Sequence, residues 1–255
     1  MKVYKIIFSP TGGTEMAADL FFRSWEEEQT VVDLLERERD FSHISFSEED
    51  ICLAAVPSYG GRVPKPAVQR IRKLKGNGAR VILMTVYGNR AYDDTMLELY
   101  DILMEVGFRP VAGVAAVAEH SIMRQFASGR PDDQDRKELE EYGRLIHAGL
   151  GECRLNREEV PGNKPYRQFD GVPMKPEAGR DCDGCGVCAS LCPAGAISKY
   201  APEKTDKERC ISCMRCIKIC PKQARKVNKL VLAVGAKTLK KACGTRKENE
   251  LFLKV

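Results

Sequence analysis

Eight cysteines in two copies of one spacing constrain this chain more than any other feature. Cys182-x-x-Cys185-x-x-Cys188-x-x-x-Cys192-Pro193 is followed by Cys210-x-x-Cys213-x-x-Cys216-x-x-x-Cys220-Pro221, and each cysteine of the second copy lies 28 residues after its counterpart. The repeat unit is a ligand set. Thiolates are soft donors that suit zinc, Cu(I) or iron–sulfur clusters. Structural zinc usually takes C-x2-C pairs separated by a long spacer rather than a triple with a trailing Cys-Pro. A disulfide scaffold needs an oxidising compartment, and nothing in the sequence indicates secretion.

The doubled spacing resembles the C-x2-C-x2-C-x3-C-P run of bacterial ferredoxins, in which the fourth cysteine ligates the other cluster. Three thiolates two residues apart wrap one face of a cubane along a tight loop. The fourth iron lies beyond that loop, so a distant cysteine supplies it. One [4Fe–4S] cluster is thus expected on Cys182, Cys185, Cys188 and Cys220. The other is expected on Cys210, Cys213, Cys216 and Cys192. Each half completes the other, so residues 179–228 should fold only with metal bound.

Charge divides the chain unevenly. Residues 1–150 carry 19 Lys and Arg against 24 Asp and Glu, a net of −5, whereas 151–255 carry 22 against 12, a net of +10. The basic half would hold clusters that are themselves anionic. Its lysines either offset that charge or form a docking face for an acidic redox partner, a ferredoxin or a reductase. Nucleic-acid binding is not expected. No apolar run approaches membrane-span length, and the stretch Ile6 to Phe8 is too short for a signal-peptide core. The expectation is a cytoplasmic protein without a membrane partner, in a reducing cell such as an anaerobe.

The N-terminal half alternates strands with helices. Val3 to Phe8 reads as a buried strand. Ser9-Pro10-Thr11-Gly12-Gly13-Thr14 follows, and then Glu15 to Glu28 with helical spacing. Strand, hydroxyl- and glycine-rich loop, then helix is the layout of an anion site. The loop has no lysine and no G-x-G-x-x-G, so it is neither a Walker A loop nor a dinucleotide fingerprint. A plain strand-to-helix turn is the alternative. Further strands are expected at Thr30–Leu34, Ile51–Val56, Arg80–Val86 and Pro110–Ala118, with helices near 66–75, 93–106 and 131–150. This pattern predicts an α/β fold with a parallel, doubly wound sheet of five strands. Ligands of such sheets bind beyond the carboxyl ends of the strands. The loops Pro57-Ser58-Tyr59-Gly60-Gly61-Arg62 and Tyr87-Gly88-Asn89-Arg90-Ala91-Tyr92 should therefore join the first loop in one site.

These loops resemble those of flavodoxins, and the first resembles their phosphate loop. The resemblance implies a flavodoxin-like domain over residues 1–150 that binds FMN. Ser9, Thr11, Gly12, Gly13 and Thr14 would hold its phosphate. Pro57, Ser58, Tyr59, Gly60, Gly61, Tyr87, Gly88, Asn89, Arg90 and Tyr92 would surround the ring, with Tyr59 or Tyr87 stacked on it. Arg62 and Arg90 would hold the flavin edge, a substrate anion or the acidic partner, or each is an ordinary solvated arginine. His120, after the fifth strand, is a proton donor to a bound substrate or an ordinary loop histidine. The linker 151–178 is rich in Pro and Gly and should wrap rather than fold alone. A basic extension, 229–255, ends the chain; Val231–Val234 and Leu251–Val255 are expected to be short ordered pieces.

The whole chain resembles the flavodoxin–ferredoxin fusion proteins of anaerobes, the EFR-type ferredoxins. The FSPTGGT, PSYGGRVP and YGNRAYDD loops, the EHS after the fifth strand and the doubled cysteine motif carry the likeness. It implies FMN and two [4Fe–4S] clusters in one chain, with an α+β two-cluster ferredoxin domain at the C-terminal side. Two activities remain open. One is an electron carrier between proteins. The other is a reductase that delivers electrons from the clusters through FMN to a small-molecule acceptor.

Overall fold

The computed structural model describes residues 1–254. Five strands, β1 (Val3–Ile7), β2 (Gln29–Asp33), β3 (Ile51–Pro57), β4 (Arg80–Tyr87) and β5 (Arg109–Val117), pair in parallel in the order β2-β1-β3-β4-β5. This 2-1-3-4-5 order is that of the flavodoxin-like doubly wound sheet. Its central strands are apolar on both faces because both faces are covered. Cys52, Ala54 and Leu83 pack into one layer with α2 (Lys65–Ile71) and α3 (Thr95–Glu105). Leu53, Ala55 and Ile82 pack into the other with α1 (Gly13–Phe21) and α4 (Asp133–Gly149). Trp25 closes that layer by donating its Nε1–H to the Gly143 carbonyl at 3.1 Å.

The sheet is larger than the five strands expected. The segment Glu250–Phe252 adds antiparallel to β5, pairing Gly113 with Phe252 and Ala115 with Glu250. The C-terminal extension thus returns to the first domain. Before that it forms a helix over Lys229–Cys243, where only short ordered pieces were expected. Asn228 caps this helix, accepting from the amides of Leu230 and Val231. Its inner face meets Met123, Met174 and Met214 in a small satellite core. A Cβ on Gly235 would displace the terminal methyl groups of Met174 and Met123, the flexible ends of those side chains.

The linker wraps the first domain. Cys153, Leu155 and Val160 enter its core, and Asp94 accepts from the amides of Asn163 (2.8 Å) and Arg167 (2.7 Å). Two short strands, β6 (Glu177–Ala178) and β7 (Arg225–Lys226), then bracket the cysteine-rich segment as an antiparallel pair. The helices there are α5 (Val187–Ser190) and α6 (Arg215–Lys218). In chain order the C-terminal helix is then α7 and the last strand β8.

The 28-residue repeat is carried by the backbone as well as the cysteines. α5 and α6 begin and end 28 residues apart. Gly184, Gly186 and Gly195 have positive φ, and so do Ser212, Met214 and Gln223, each 28 residues on. Left-handed backbone is uncommon for non-glycine residues. Its recurrence at all three positions shows that the loop path, rather than the residue type, sets the conformation.

Candidate redox site between two domains

In each copy the sulfur of the trailing cysteine takes a backbone amide. The Cys192 Sγ accepts from the Ala196 amide at 3.3 Å, and the Cys220 Sγ accepts from the Ala224 amide at 3.3 Å. Amide donors of this kind favour anionic sulfur. One apolar cavity is lined by Cys192, Cys210, Cys213 and Cys216 together. This is the cross-linked set expected from the spacing, with the trailing cysteine of one copy beside the triple of the other. Burial pushes the Cys213 and Cys216 thiols up to about 12, with the neighbouring Cys192 and Cys210 sulfurs adding to it. Bound iron would be needed to hold them as thiolates at neutral pH. Of the other four, Cys188 is buried, Cys182 and Cys220 are half-buried and Cys185 is exposed. Among the described residues, no three Cys, His, Asp or Glu side chains are gathered as for a single metal ion.

A buried cation lies between the two thiol sets. Arg225 is 2% exposed. It donates to the carbonyls of Pro176 (3.2 Å) and Pro202 (2.5 Å) and to the Thr205 hydroxyl (2.9 Å). It also faces Cys188, Cys216 and Cys182. Its fixed charge would offset that of clusters on both sets. The sequence showed only a basic residue shortly after Cys220-Pro221. Two further arginines of the first domain reach the same region. Arg70 donates to the Pro193 carbonyl at 2.6 Å, and Arg37 to the Cys192 carbonyl at 3.5 Å.

A second cavity, of about 190 Å³, lies beyond the carboxyl ends of β1, β3, β4 and β5. Thr11, Gly13 and Thr14 line it from the first loop, and Pro57, Ser58, Tyr59 and Gly60 from the second. Tyr87, Gly88, Arg90, Ala118 and His120 complete that side. The opposite wall comes from elsewhere in the chain: Phe169 and Val172 of the linker, Ile211 and Ser212 between Cys210 and Cys213, and Leu239 of α7.

The first loop makes its turn through Gly12, at φ 87°. Ser9 closes it, accepting from the Glu15 amide at 3.0 Å. Ser9 and Gly12 thus shape the loop, whereas Thr11, Gly13 and Thr14 reach the cavity wall. The cavity fits an aromatic ligand that carries an anion. It has an apolar slot, a helix start at one end, and an orphaned polar group: the Ser212 Oγ is buried and finds no partner among the described residues.

Several expected ring contacts are engaged elsewhere. Asn89 donates to the carbonyls of Cys243 and Thr245, both at 2.8 Å, and accepts from the Lys247 amide, so it anchors the C-terminal tail. Tyr92 donates its hydroxyl to Glu250 at 3.2 Å and lies outside the cavity wall. Tyr87 meets Tyr92 edge-on at 5.2 Å and donates to the Glu248 carbonyl at 3.3 Å. Burial pushes its phenol up to about 12. Arg62 makes a two-pronged pair with Glu98, at 2.9 and 2.8 Å, and stacks on Tyr166. It is a structural cation outside this cavity, and Gly61 also lies outside the cavity wall. Arg90 lines the cavity but is paired with Asp93.

Tyr59 is half-buried, and its phenol is raised well above its ordinary range by burial and by the neighbouring Cys213 sulfur. It lines the cavity on the side from which Cys213 acts on it. Phe169, a linker aromatic, packs over Gly60, where any Cβ would collide with its ring. His120 accepts at Nδ1 from the amides of Ile122 and Met123 (3.1 and 3.2 Å), which fixes its proton on Nε2. Burial, aided by Arg90, lowers its pKa. It is therefore a neutral hydrogen-bond donor at pH 7 rather than a cationic acid.

The chain is similar to known proteins in both halves. Residues 168–225 match the 4Fe-4S dicluster domain. Among solved structures, oxidised flavodoxin 1 from Bacillus cereus is 18% identical, covering 58% of this chain and 98% of that one, with a TM-score of 0.42. Fusobacterium nucleatum flavodoxin bound to flavin mononucleotide is 12% identical over 58% and 96%, with a TM-score of 0.38. An apo NADH:FMN oxidoreductase is 13% identical over 64% and 96%, with a TM-score of 0.40. No curated protein sequence matches the chain. With the strand order above, the class is defined: a flavodoxin-like α/β domain joined to a 4Fe-4S dicluster domain. The likeness to flavodoxin–ferredoxin fusion proteins extends over both parts.

Proposed function

We propose that this chain is an electron carrier that holds FMN in the 190 Å³ cavity and two [4Fe–4S] clusters on its eight repeat cysteines. One observation carries the reading. Ile211 and Ser212, which line the cavity, sit between Cys210 and Cys213 in sequence, so the cofactor slot and a cluster ligand loop share a wall. FMN exchanges one or two electrons, and clusters exchange one. Placing both in one chain replaces collision with intramolecular transfer at high effective concentration. Phe169, Val172 and Leu239 cover the slot opposite the strand ends, and a covered ring suits electron transfer between proteins. The reductase reading draws on Arg90 and His120, which also line the slot. With His120 neutral and Arg90 paired to Asp93, those groups favour hydrogen bonding over acid catalysis.

An anaerobic potentiometric titration of the reconstituted protein tests the assignment. Two S = 1/2 cluster signals and one flavin chromophore are expected. Finding fewer centres overturns the cofactor set. Two resolved one-electron steps in the flavin band support the carrier; a single two-electron step supports the reductase.

The external partner is proposed to be an acidic redox protein. An open cleft of about 740 Å³ beside Cys210 is lined by Arg37, Arg39, Arg72, Lys73 and Arg209, with few acidic groups among them. Complementary charge raises encounter rates and makes them salt-sensitive. Reversing Arg72 and Lys73 to Glu should slow reduction by an acidic ferredoxin by about 10-fold or more at low salt. The gap should close at high salt. An unchanged rate in stopped-flow mixing at low salt removes the cleft from consideration. Among the described residues no helix is long and apolar enough to cross a membrane.

A further inference from the structure

The phosphate loop lacks a cation of its own, yet two cations stand on it. Both come from α6 in the cluster domain. The Lys218 Nζ donates to the Thr11 carbonyl at 2.6 Å and lies 2.7 Å from where a Cβ on Gly12 would stand. Arg215 Nη1 donates to the Pro10 carbonyl at 3.4 Å. Its Nε is buried and has no partner among the described residues. The Ser212 hydroxyl, 3% exposed and also without a partner, lines the slot itself three residues earlier, whereas Arg215 and Lys218 meet the loop outside the slot's wall, at the Pro10 and Thr11 carbonyls. Two cations from one short segment thus stand on a loop whose own donors are hydroxyls and backbone amides, with a third donor, Ser212, on the wall of the adjoining slot. Backbone carbonyls are modest partners for a lysine and an arginine; a phosphate is a stronger one.

Building on the proposed FMN site, we infer that the cluster domain completes it. The phosphomonoester is clamped between the hydroxyls of Thr11 and Thr14 on one domain and Lys218 and Arg215 on the other. Ser212 supplies a further donor to the slot. The flavin phosphate then acts as an electrostatic bridge between domains. That gives part of the basic excess of residues 151–255 a specific task, because the cations missing from the first loop are supplied across the interface. It also makes flavin retention depend on the cysteine loops being folded, since α6 lies between Cys213 and Cys220.

The test uses the full chain with its clusters reconstituted anaerobically, titrated with FMN and with riboflavin by flavin-fluorescence quenching. Wild type is expected to bind FMN more tightly than riboflavin. Lys218→Ala should weaken FMN by about 10- to 100-fold, the range for a hydrogen bond to a charged group. Riboflavin binding should stay unchanged. Lys218→Arg should restore most of the preference, and Arg215→Gln should reproduce part of the loss. Equal cluster absorbance in every variant shows that the ligand loops are intact. Unchanged FMN affinity in Lys218→Ala overturns the inference while leaving the FMN site standing. Equal loss of FMN and riboflavin, or no rescue by Lys218→Arg, overturns it as well, because the lysine would then act on the fold. A wild-type chain that binds neither flavin overturns the inference together with the FMN reading on which it rests.

Discussion

Cys192→Ser should abolish the same iron–sulfur signal that is lost on replacing Cys210, Cys213 or Cys216, and should spare the signal lost with Cys182. Neighbours in sequence suggest the opposite, since Cys192 trails the triple that begins at Cys182. The cavity lined by Cys192, Cys210, Cys213 and Cys216 places it with the second triple. The raised Cys213 and Cys216 thiols, which both feel Cys192, point the same way. Because each cubane takes four cysteine ligands, losing one should cost about four of about eight iron atoms per chain. The EPR spectrum of dithionite-reduced protein, set beside Cys210→Ser and Cys182→Ser, reads the result. If Cys192→Ser matches Cys182→Ser, each copy ligates its own cluster and the cross-linked assignment is wrong.

The same substitution should reach beyond one cluster. The buried apolar core among the ligand loops is small, built on Cys188, Ala189 and Ile197. A core of that size gives little hydrophobic stabilisation, so iron–sulfur bonding must hold the loops. Stripping both clusters with a chelator should expose residues 179–228 to rapid hydrogen exchange. The parallel sheet, whose central strands are fully buried, should keep its protection.

What the sequence disclosed follows from the range over which each signal acts. Strands such as Ile51–Pro57 are continuous apolar runs, and the loops after them carry their own turn chemistry, so sheet and slot were legible. The cysteine repeat is local and periodic, and it reappears in the backbone down to individual φ angles. The errors lie where a local feature is satisfied from far away. Asn89 looks like a loop donor until Cys243 and Thr245, more than 150 residues later, take both its protons. Arg62 looks free until Glu98 occupies it. β8 has three residues, too few for alternation to register. α7 carries Gly235 in its middle and β-branched Val231 and Val234 near its start. Helix propensity alone therefore did not announce it. Lys218 and Arg215 sat in plain view, but only the folded interface puts them on Pro10 and Thr11.

Asp135→Ala should destabilise the flavodoxin-like domain by ~3–5 kcal/mol, the usual result of breaking a buried ion pair by removing one partner. Asp135 is fully buried and receives both prongs of Arg130, which is itself only 5% exposed at its side chain. It also accepts from Arg246 (3.3 Å) and Asn249 (3.0 Å), and it closes the capping box at the start of α4. Removing it would leave the Arg130 guanidinium buried beside a void. By contrast, Asp132 is half-exposed at its side chain and pairs with Arg246. Its loss should cost about 1 kcal/mol as a helix cap. Arg246 holds the Asp132 carboxyl well below the usual carboxylate range. The stability this pair adds is therefore present above that range and is lost as the pH falls through the depressed value.

Thermal scans by circular dichroism, compared across the two variants, decide the matter. Equal shifts would mean that Arg130 escapes to solvent and is not trapped. A further consequence follows from Arg130 Nη1, which donates to the Lys247 carbonyl at 2.5 Å, and from Asn249, which ties the tail to the Val117 amide at 2.9 Å. Asp135 holds both residues, so its loss should also speed hydrogen exchange in the tail that follows α7. The helix that roofs the slot would then be anchored chiefly by its methionine contacts and by Asn89.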